Sequence, residues 1–309
     1  MQTASPSPTD RSPPQRSAAT PEASARLAAL LAQDRPLVMG IVNVTDDSFS
    51  GDGLQGDAAA AIAQAQAQLA AGADLIDLGA ESTRPGAAPV SWRQEIDRLL
   101  PVIEALRRAA PQAVISVDTR NAATMRAVAV AGVHLLNDIS ALEGEGSLEA
   151  AVKSRLPVVL MHMQGEPGSM QQAPHYADVL REVRDYLAGR VAVCRAAGIP
   201  RERILLDPGI GFGKSVDHNL TLLQRLQALR ALGYPLLVGA SRKSFIGAVA
   251  REPEAQRRVP GSVAAALWAA QQGAKILRVH DVAETVQALS VWQAMAQGRL
   301  ELKKPNDSA

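Results

Sequence analysis

From residue 37 onward the chain alternates between two hydrophobic patterns. Short, nearly continuous apolar runs fall at 37–42, 75–78, 114–117, 133–136, 158–161, 204–206, 236–238 and 276–279. Each is too short for a typical helix, and a run without polar alternation reads as a strand buried on both faces. The longer segments between them carry helical spacing. One helix is predicted over 58–71 with Asp57 as its N-cap, and another from Ser91, where Ser91 and Gln94 stand at capping-box spacing. A third is predicted over 176–197, with apolar positions 176, 179, 180, 183, 187, 191 and 194. Gly72, Gly132, Gly198, Gly233 and Gly273 each separate a helical segment from the next strand. Helix C-termini commonly need positive φ there. Strand, loop, helix and glycine in repetition predict an α/β protein, a single-domain (β/α)8 TIM barrel. An open doubly wound sheet is the alternative.

The ends of the chain lack this pattern. Residues 1–24 are rich in Ser, Thr, Pro and Ala, with Pro6, Pro8, Pro13, Pro14 and Pro21, and are predicted to form a disordered leader. A short helix is predicted over 23–33. The catalytic barrel is expected to span 25–300, followed by a frayed tail at 301–309.

Composition narrows the classes of function. The 309 residues carry 32 Lys+Arg against 31 Asp+Glu, a net charge of +1, which argues against nucleic acid or an anionic membrane as partner. Aromatic residues make up only 3%, so platforms for stacking single strands are few. Cys194 is the single cysteine, which excludes an intrachain disulfide and a multi-cysteine metal cage. No apolar run approaches the roughly 18 residues of a membrane helix, and no signal-peptide core is present, so a cytoplasmic location is expected. Lysine occurs only at 153, 214, 243, 275, 303 and 304. That scarcity marks Lys243, just past an apolar run, as a candidate for a specific role.

In a (β/α)8 barrel the active site is built at the C-terminal ends of the strands. Polar residues follow every run: Asn43 through Ser50, Glu81 through Gly86, Asp118-Thr119-Arg120, Asn137-Asp138, His162-Met163-Gln164, Asp207 through Lys214, Ser241 through Ser244, and His280-Asp281, with Arg278 inside the last run. Helix capping explains any one of these, but not eight together. The stretch 209–213, followed by Lys214-Ser215, invites comparison with a phosphate-binding loop. Pro208 occupies the first glycine position of that motif, and Lys214 the last of the dinucleotide pattern, so neither fits.

Five segments together resemble the dihydropteroate synthase family: 39–45 (Met-Gly-Ile-Val-Asn-Val-Thr), 81–86 (Glu-Ser-Thr-Arg-Pro-Gly), 207–214, 241–247 and 278–282. The matches span about residues 37–290. Two departures stand out: the family usually has Pro where this chain has Asp46, and Gly where it has Ala80. The resemblance implies condensation of (7,8-dihydropterin-6-yl)methyl diphosphate with p-aminobenzoate. It places Asp118, Asn137 and Asp207 in the pterin pocket, where a carboxylate can accept the adjacent amino and ring N–H groups together. Phe212, Lys243 and Thr83 complete that pocket. Arg278, His280 and Asn43 are implied at the diphosphate, with Asn43 as the Mg²⁺ ligand. Phe49, Thr83, Arg84, Pro85 and Ser244 are implied at p-aminobenzoate. Asp47, Lys243 and Arg278 are the implied catalytic groups, Asp47 stabilising positive charge on the pterin methylene. The resemblance also implies a homodimer formed through the later helices. Two rival readings are a pterin-binding methyltransferase and a pterin-binding relative without turnover.

Overall fold

The structure is a computed structural model, and it describes residues 21–44, 54–81, 90–166 and 168–298. Eight parallel strands form its centre: β1 (Leu37–Asn43), β2 (Leu75–Gly79), β3 (Val114–Asp118), β4 (Leu135–Asp138), β5 (Val158–Met161), β6 (Ile204–Asp207), β7 (Leu237–Val238) and β8 (Ile276–Val279). Their order is β6-β5-β4-β3-β2-β1-β8-β7. The remaining gap, between β6 and β7, is closed by a single parallel bridge from Leu206 to Leu236 and by the Leu206 N–H donating to Pro235 O at 3.0 Å. The predicted barrel is therefore present, and the open-sheet alternative is not.

Four of the eight strands, β1, β2, β3 and β6, run one residue past the predicted apolar run. Asn43, Asp118 and Asp207 are the last residues of their strands, not the first residues of loops. β4 is shifted as a whole and includes Asn137 and Asp138. Ladder hydrogen bonds continue wherever a neighbouring strand offers partners, whatever the polarity of the side chain.

Side chains alternate across each strand. One set, from Leu37, Met39, Leu75, Val114, Leu135, Val159, Leu205, Leu237 and Ile276, fills the bottom of the barrel. The other, including Val38, Val42, Ile76, Leu78, Ile115, Val117 and Leu136, packs outward under the helices. Helix α1 (Pro21–Leu31) lies beneath the bottom layer, where Leu27 is buried and Leu30 and Leu31 pack against it. This helix starts four residues inside the expected leader. Residues 1–20 and 299–309, which carry the rest of the predicted leader and tail, lie outside the described residues.

The outer helices are α2 (Leu54–Ala70), α3 (Trp92–Ala109), α4 (Ala122–Ala131), α5 (Ser147–Ser154), α6 (Val179–Ala196), α7 (Val216–Gln224), α8 (Gln227–Arg230), α9 (Ser244–Ala250), α10 (Val259–Gln271) and α11 (Val282–Gln297). The capping box at α3 is formed as predicted: the Ser91 side chain accepts from the Gln94 N–H, and Gln94 accepts from the Ser91 N–H at 3.1 Å. α2 starts at Leu54, so Asp57 lies inside its first turn and is not the N-cap. α6 starts three residues later than predicted. Asp178 caps it by accepting from the Arg181 N–H, while Tyr176 turns inward and donates its hydroxyl to Gly213 O at 2.8 Å. The five predicted helix-to-strand glycines all have positive φ, between 78° and 100°. Among the described residues no helix is long and apolar enough to cross a membrane.

Candidate active site at the strand C-termini

Above the apolar floor the inward positions become polar. Asp77, Ser116, Asn137, Asp207 and Arg278 point into the barrel mouth, by strand alternation from the bottom layer. Arg278 is the hub. Its Nε donates to Asp77 Oδ2 at 2.6 Å, and its Nη2 to Asp118 Oδ2 at 2.8 Å. Asn137 Nδ2 donates to the same Asp77 oxygen at 3.1 Å. Asn43 and Asp118 meet over Gly79, where a Cβ would lie 3.6 Å from Asp118 Cβ and 3.9 Å from Asn43 Oδ1.

Burial sets the proton affinities here. It raises the Asp118 carboxyl to about 7, with Arg278 pulling down and Asp77 pushing up. It raises Asp207 to about 6, opposed by the Gly209 N–H and then by Lys243, Arg278 and Lys214. Burial lowers Lys243 to about 8, aided by Arg278 and opposed by Asp207 and Asp118. Burial also pulls on the Arg278 guanidinium, but the Asp77 and Asp118 carboxylates outweigh it and hold the group above its ordinary value. His280 is lowered to about 4 by burial and by the nearby arginines, so its imidazole is neutral at pH 7. With Nδ1 3.0 Å from Ser241 Oγ, its Nε2–H is left to donate when the serine hydroxyl donates to Nδ1.

The glycines of the turn after β6 admit neighbouring protein atoms. A Cβ on Gly209 would sit 1.8 Å from His162 O, one on Gly211 2.8 Å from Lys243 Cδ, and one on Gly213 2.2 Å from Gln164 O. All three also have positive φ. The turn is thus pressed between the β5 loop and the Lys243 stem, and the Gly209 N–H reaches Asp207 Oδ1 at 2.7 Å. Gly209→Ala is expected to destabilise the fold by about 2–4 kcal/mol through the forced backbone shift and the positive φ. It should also cost activity, because the forced shift moves the backbone N–H of residue 209 that Asp207 accepts from. Thermal melting and turnover of this variant check both.

Phe212 faces this mouth. Its ring lies under Lys243 Nζ, 3.9 Å from centroid to nitrogen, and packs with buried Ile139, Met161 and Met170. The result is a slot with carboxylates and an amide on one side, an apolar wall on another, and cations at its rim. Such a slot suits a flat, polar, nitrogen-rich ring bearing an anionic group.

Eight predicted site residues gather here: Asn43, Asp118, Asn137, Asp207, Phe212, Lys243, Arg278 and His280. Ser244 is exposed as the first residue of α9, behind Lys243 at the N-cap position. Asp47, Phe49, Thr83, Arg84 and Pro85 lie outside the described residues, as does the Asp46 departure. Ala80 is described and buried, and it is not among the residues with positive φ, so the glycine it replaces is not required for backbone freedom.

Sequence reasoning missed Asp77, which is fully buried and shares Arg278. Its signal was present: a lone carboxylate at an inward position of an otherwise apolar strand. It also missed the contact between buried His162 and buried Lys214, which lies past the stretch compared with a phosphate loop. Among the described residues no group of three or more His, Cys, Asp or Glu side chains is placed to hold a metal.

Comparison with known proteins places the chain in context. The profile of the family described as "Pterin binding enzyme" matches residues 39–280. The chain is 50% identical to the dihydropteroate synthase of Escherichia coli K12 over 259 residues, covering 84% of this chain and 91% of that protein. It also resembles two solved structures of the Xanthomonas albilineans dihydropteroate synthase. One, with 4-aminobenzoic acid, has a TM-score of 0.81 at 50% identity and covers 85% of this chain and 94% of that one. The other, in complex with 7,8-dihydropteroate, has a TM-score of 0.76 at 46% identity and the same coverage.

Proposed function

The chain belongs to the pterin binding enzyme family, and we infer from that premise that it is a dihydropteroate synthase, a transferase. It joins (7,8-dihydropterin-6-yl)methyl diphosphate to p-aminobenzoate, giving 7,8-dihydropteroate and diphosphate. The observation that carries this reading is the convergence of Asp118, Asn137, Asp207, Lys243 and Arg278 on one apolar-walled slot. The identity to named synthases over 84% of the chain sets aside the methyltransferase and non-catalytic readings.

In the proposed reaction Asp207 accepts the pterin amino and ring N–H groups. It does so as a carboxylate, the form it takes above about pH 6. Asn137 and Asp118 meet the opposite ring edge, and Phe212 supplies the flat apolar wall. The bond between the methylene carbon and diphosphate oxygen breaks, and its electron pair leaves with the diphosphate. Arg278 spends two of its five N–H donors on Asp77 and Asp118. Its remaining donors and the neutral His280 N–H meet the charge that develops on the leaving group. The aniline nitrogen of p-aminobenzoate then bonds to the methylene and releases its proton. Lys243, beside Asp207 and Phe212, helps position that amine, and Asp47 is assigned to stabilise the cationic methylene. Thr83, Arg84, Pro85, Phe49 and Ser244 are assigned to p-aminobenzoate.

Mg²⁺ is proposed as cofactor. The Asn43 side-chain oxygen is a hard donor at the mouth and is the one ligand assigned to this chain, which suits an ion that keeps oxygens from diphosphate and water. When bound, Mg²⁺ would neutralise diphosphate charge. We also propose a homodimer. A cleft of about 740 Å³ between α7, α9 and α10 is lined by Leu220, Leu223, Phe245, Ile246, Val249 and Trp268. Leu220, Val249 and Trp268 there are exposed in the single chain.

Incubation of the purified chain with both substrates and Mg²⁺, followed by measurement of dihydropteroate and diphosphate, tests the function. Equal release of both products supports it. Diphosphate release without dihydropteroate, or no reaction, would refute it.

A further inference from the structure

Lys214 is a charged side chain that the mechanism does not use, and it is only 3% exposed. Its Nζ lies 3.0 Å from His162 Nδ1, 3.3 Å from His162 O and 2.9 Å from Phe212 O. An ammonium has three hydrogens, and three acceptors surround this one. The fit requires His162 to be neutral with its proton on Nε2. Burial and Lys214 both push in that direction, lowering the imidazole to about 3.

The location of this cation matters more than its burial. A Cβ on Gly209 would lie 3.3 Å from Lys214 Nζ. Gly209 is the residue whose N–H holds Asp207 Oδ1, and the His162 N–H donates to Asp207 O at 3.0 Å. Lys214 therefore ties the β5 loop to the turn that follows Asp207 and carries Phe212. Its charge also acts on Asp207 from behind, while Lys243 and Arg278 act from the mouth. The other titratable groups packed around the pair are Tyr176 and Tyr186 against His162, and His218 against Tyr176.

We propose that Lys214 is a positioning residue for the ring-binding carboxylate: a buried cation that clamps the β5 loop onto the glycine turn and holds Asp207 in its ionised, pterin-accepting form. The proposal rests on the assignment of Asp207 to the pterin. Burial lowers Lys214 itself to about 7, so its charge is present below neutrality, where Asp207 titrates. Loss of that charge should therefore weaken pterin binding on the acid side and leave it nearly intact at alkaline pH. A purely structural role would weaken binding at every pH.

Calorimetric titration of 6-hydroxymethylpterin into the full chain from about pH 5 to about pH 8.5 tests this. For Lys214→Met, the acid limb of binding should move up by about one pH unit, with affinity at the alkaline end within about threefold of wild type. Lys214→Arg should keep the wild-type limb. Lys214→Gln, which retains an N–H donor for the two carbonyls, carries the same expectation as the methionine variant if that protein does not fold. An unmoved limb, or a uniform loss across the pH range, would overturn the proposal. So would failure of both neutral variants to fold while the arginine variant folds, since Lys214 would then serve the fold and not the ligand. The wild-type arm separates the two readings: no pterin binding at any pH removes the site assignment itself, whereas binding that Lys214 does not modulate removes only the role of Lys214.

Discussion

Arg278→Met is expected to lower the melting temperature by on the order of 10 °C and to abolish turnover. The guanidinium bridges Asp77, which is fully buried, and Asp118, which is mostly so. Removing one partner of a buried ion pair typically costs about 3–5 kcal/mol, because the remaining charge is left without compensation. Here two carboxylates lose the same partner, and they already repel each other. The loss should depend on pH. Asp118 is raised to about 7 even with Arg278 present, and without it the group binds its proton more tightly still. A carboxyl raised above its unfolded value adds stability at low pH and loses it as pH rises through the folded value. The variant should therefore be closest to wild type near pH 5.5 and furthest from it near pH 8. Urea denaturation at both values checks the sign; a deficit that grows on acidification would disprove this account of the cluster.

Asp207→Asn is expected to lower kcat/KM by at least about a hundredfold, while the fold is kept or strengthened. Asparagine can still accept from the Gly209 N–H through its amide oxygen, so the turn stays in place. Toward the ligand it presents an N–H₂ group where the pterin also presents donors. Each charge-assisted hydrogen bond lost costs about 1.5–3 kcal/mol, and the facing donors add repulsion. Stability should move the other way. Burial holds the folded Asp207 at about 6, above its unfolded value, so its ionised form is a cost the fold carries at neutral pH. The neutral amide removes that cost. Steady-state kinetics paired with thermal melting form the test. A variant with full activity, or one that loses activity only by unfolding, would rule out Asp207 as the ring reader.

Both predictions concern residues legible from the chain itself, since Asp118, Asn137, Asp207 and Arg278 interrupt or end apolar runs. A barrel strand has one inward face and one C-terminal end, so polarity at that place signals chemistry. Asp77 escaped notice because it lies in mid-strand, between Ile76 and Leu78, where the run still looks apolar on average. Recognising it requires the register that sets Asp77 beside Ser116 and brings Arg278 from β8, some 200 positions away in sequence. The Lys214–His162 contact was illegible for a similar reason: it joins residues 52 apart through a turn whose glycines suggested a phosphate loop. Tyr176 fits the helical period of α6 but belongs to the segment before it, because Asp178 offers a better cap than any residue near 175. The p-aminobenzoate assignments at Phe49, Thr83, Arg84 and Pro85 rest on resemblance alone, since those positions lie outside the described residues.

The helix beneath the barrel has a kinetic consequence. With Leu27, Leu30 and Leu31 packed against the bottom layer, the cavity formed by the described residues is a well with a floor, open toward the strand C-termini. In such a vessel depth dictates sequence. The ligand that belongs lowest has to pass the place of the ligand that belongs higher. Asp207, assigned to the pterin, is buried at a strand end, whereas Ser244, assigned to p-aminobenzoate, is exposed at the rim, so the bicyclic substrate is expected to be first in. An early-arriving aromatic acid would act as a stopper. The joined product can leave only by the route its halves took inward.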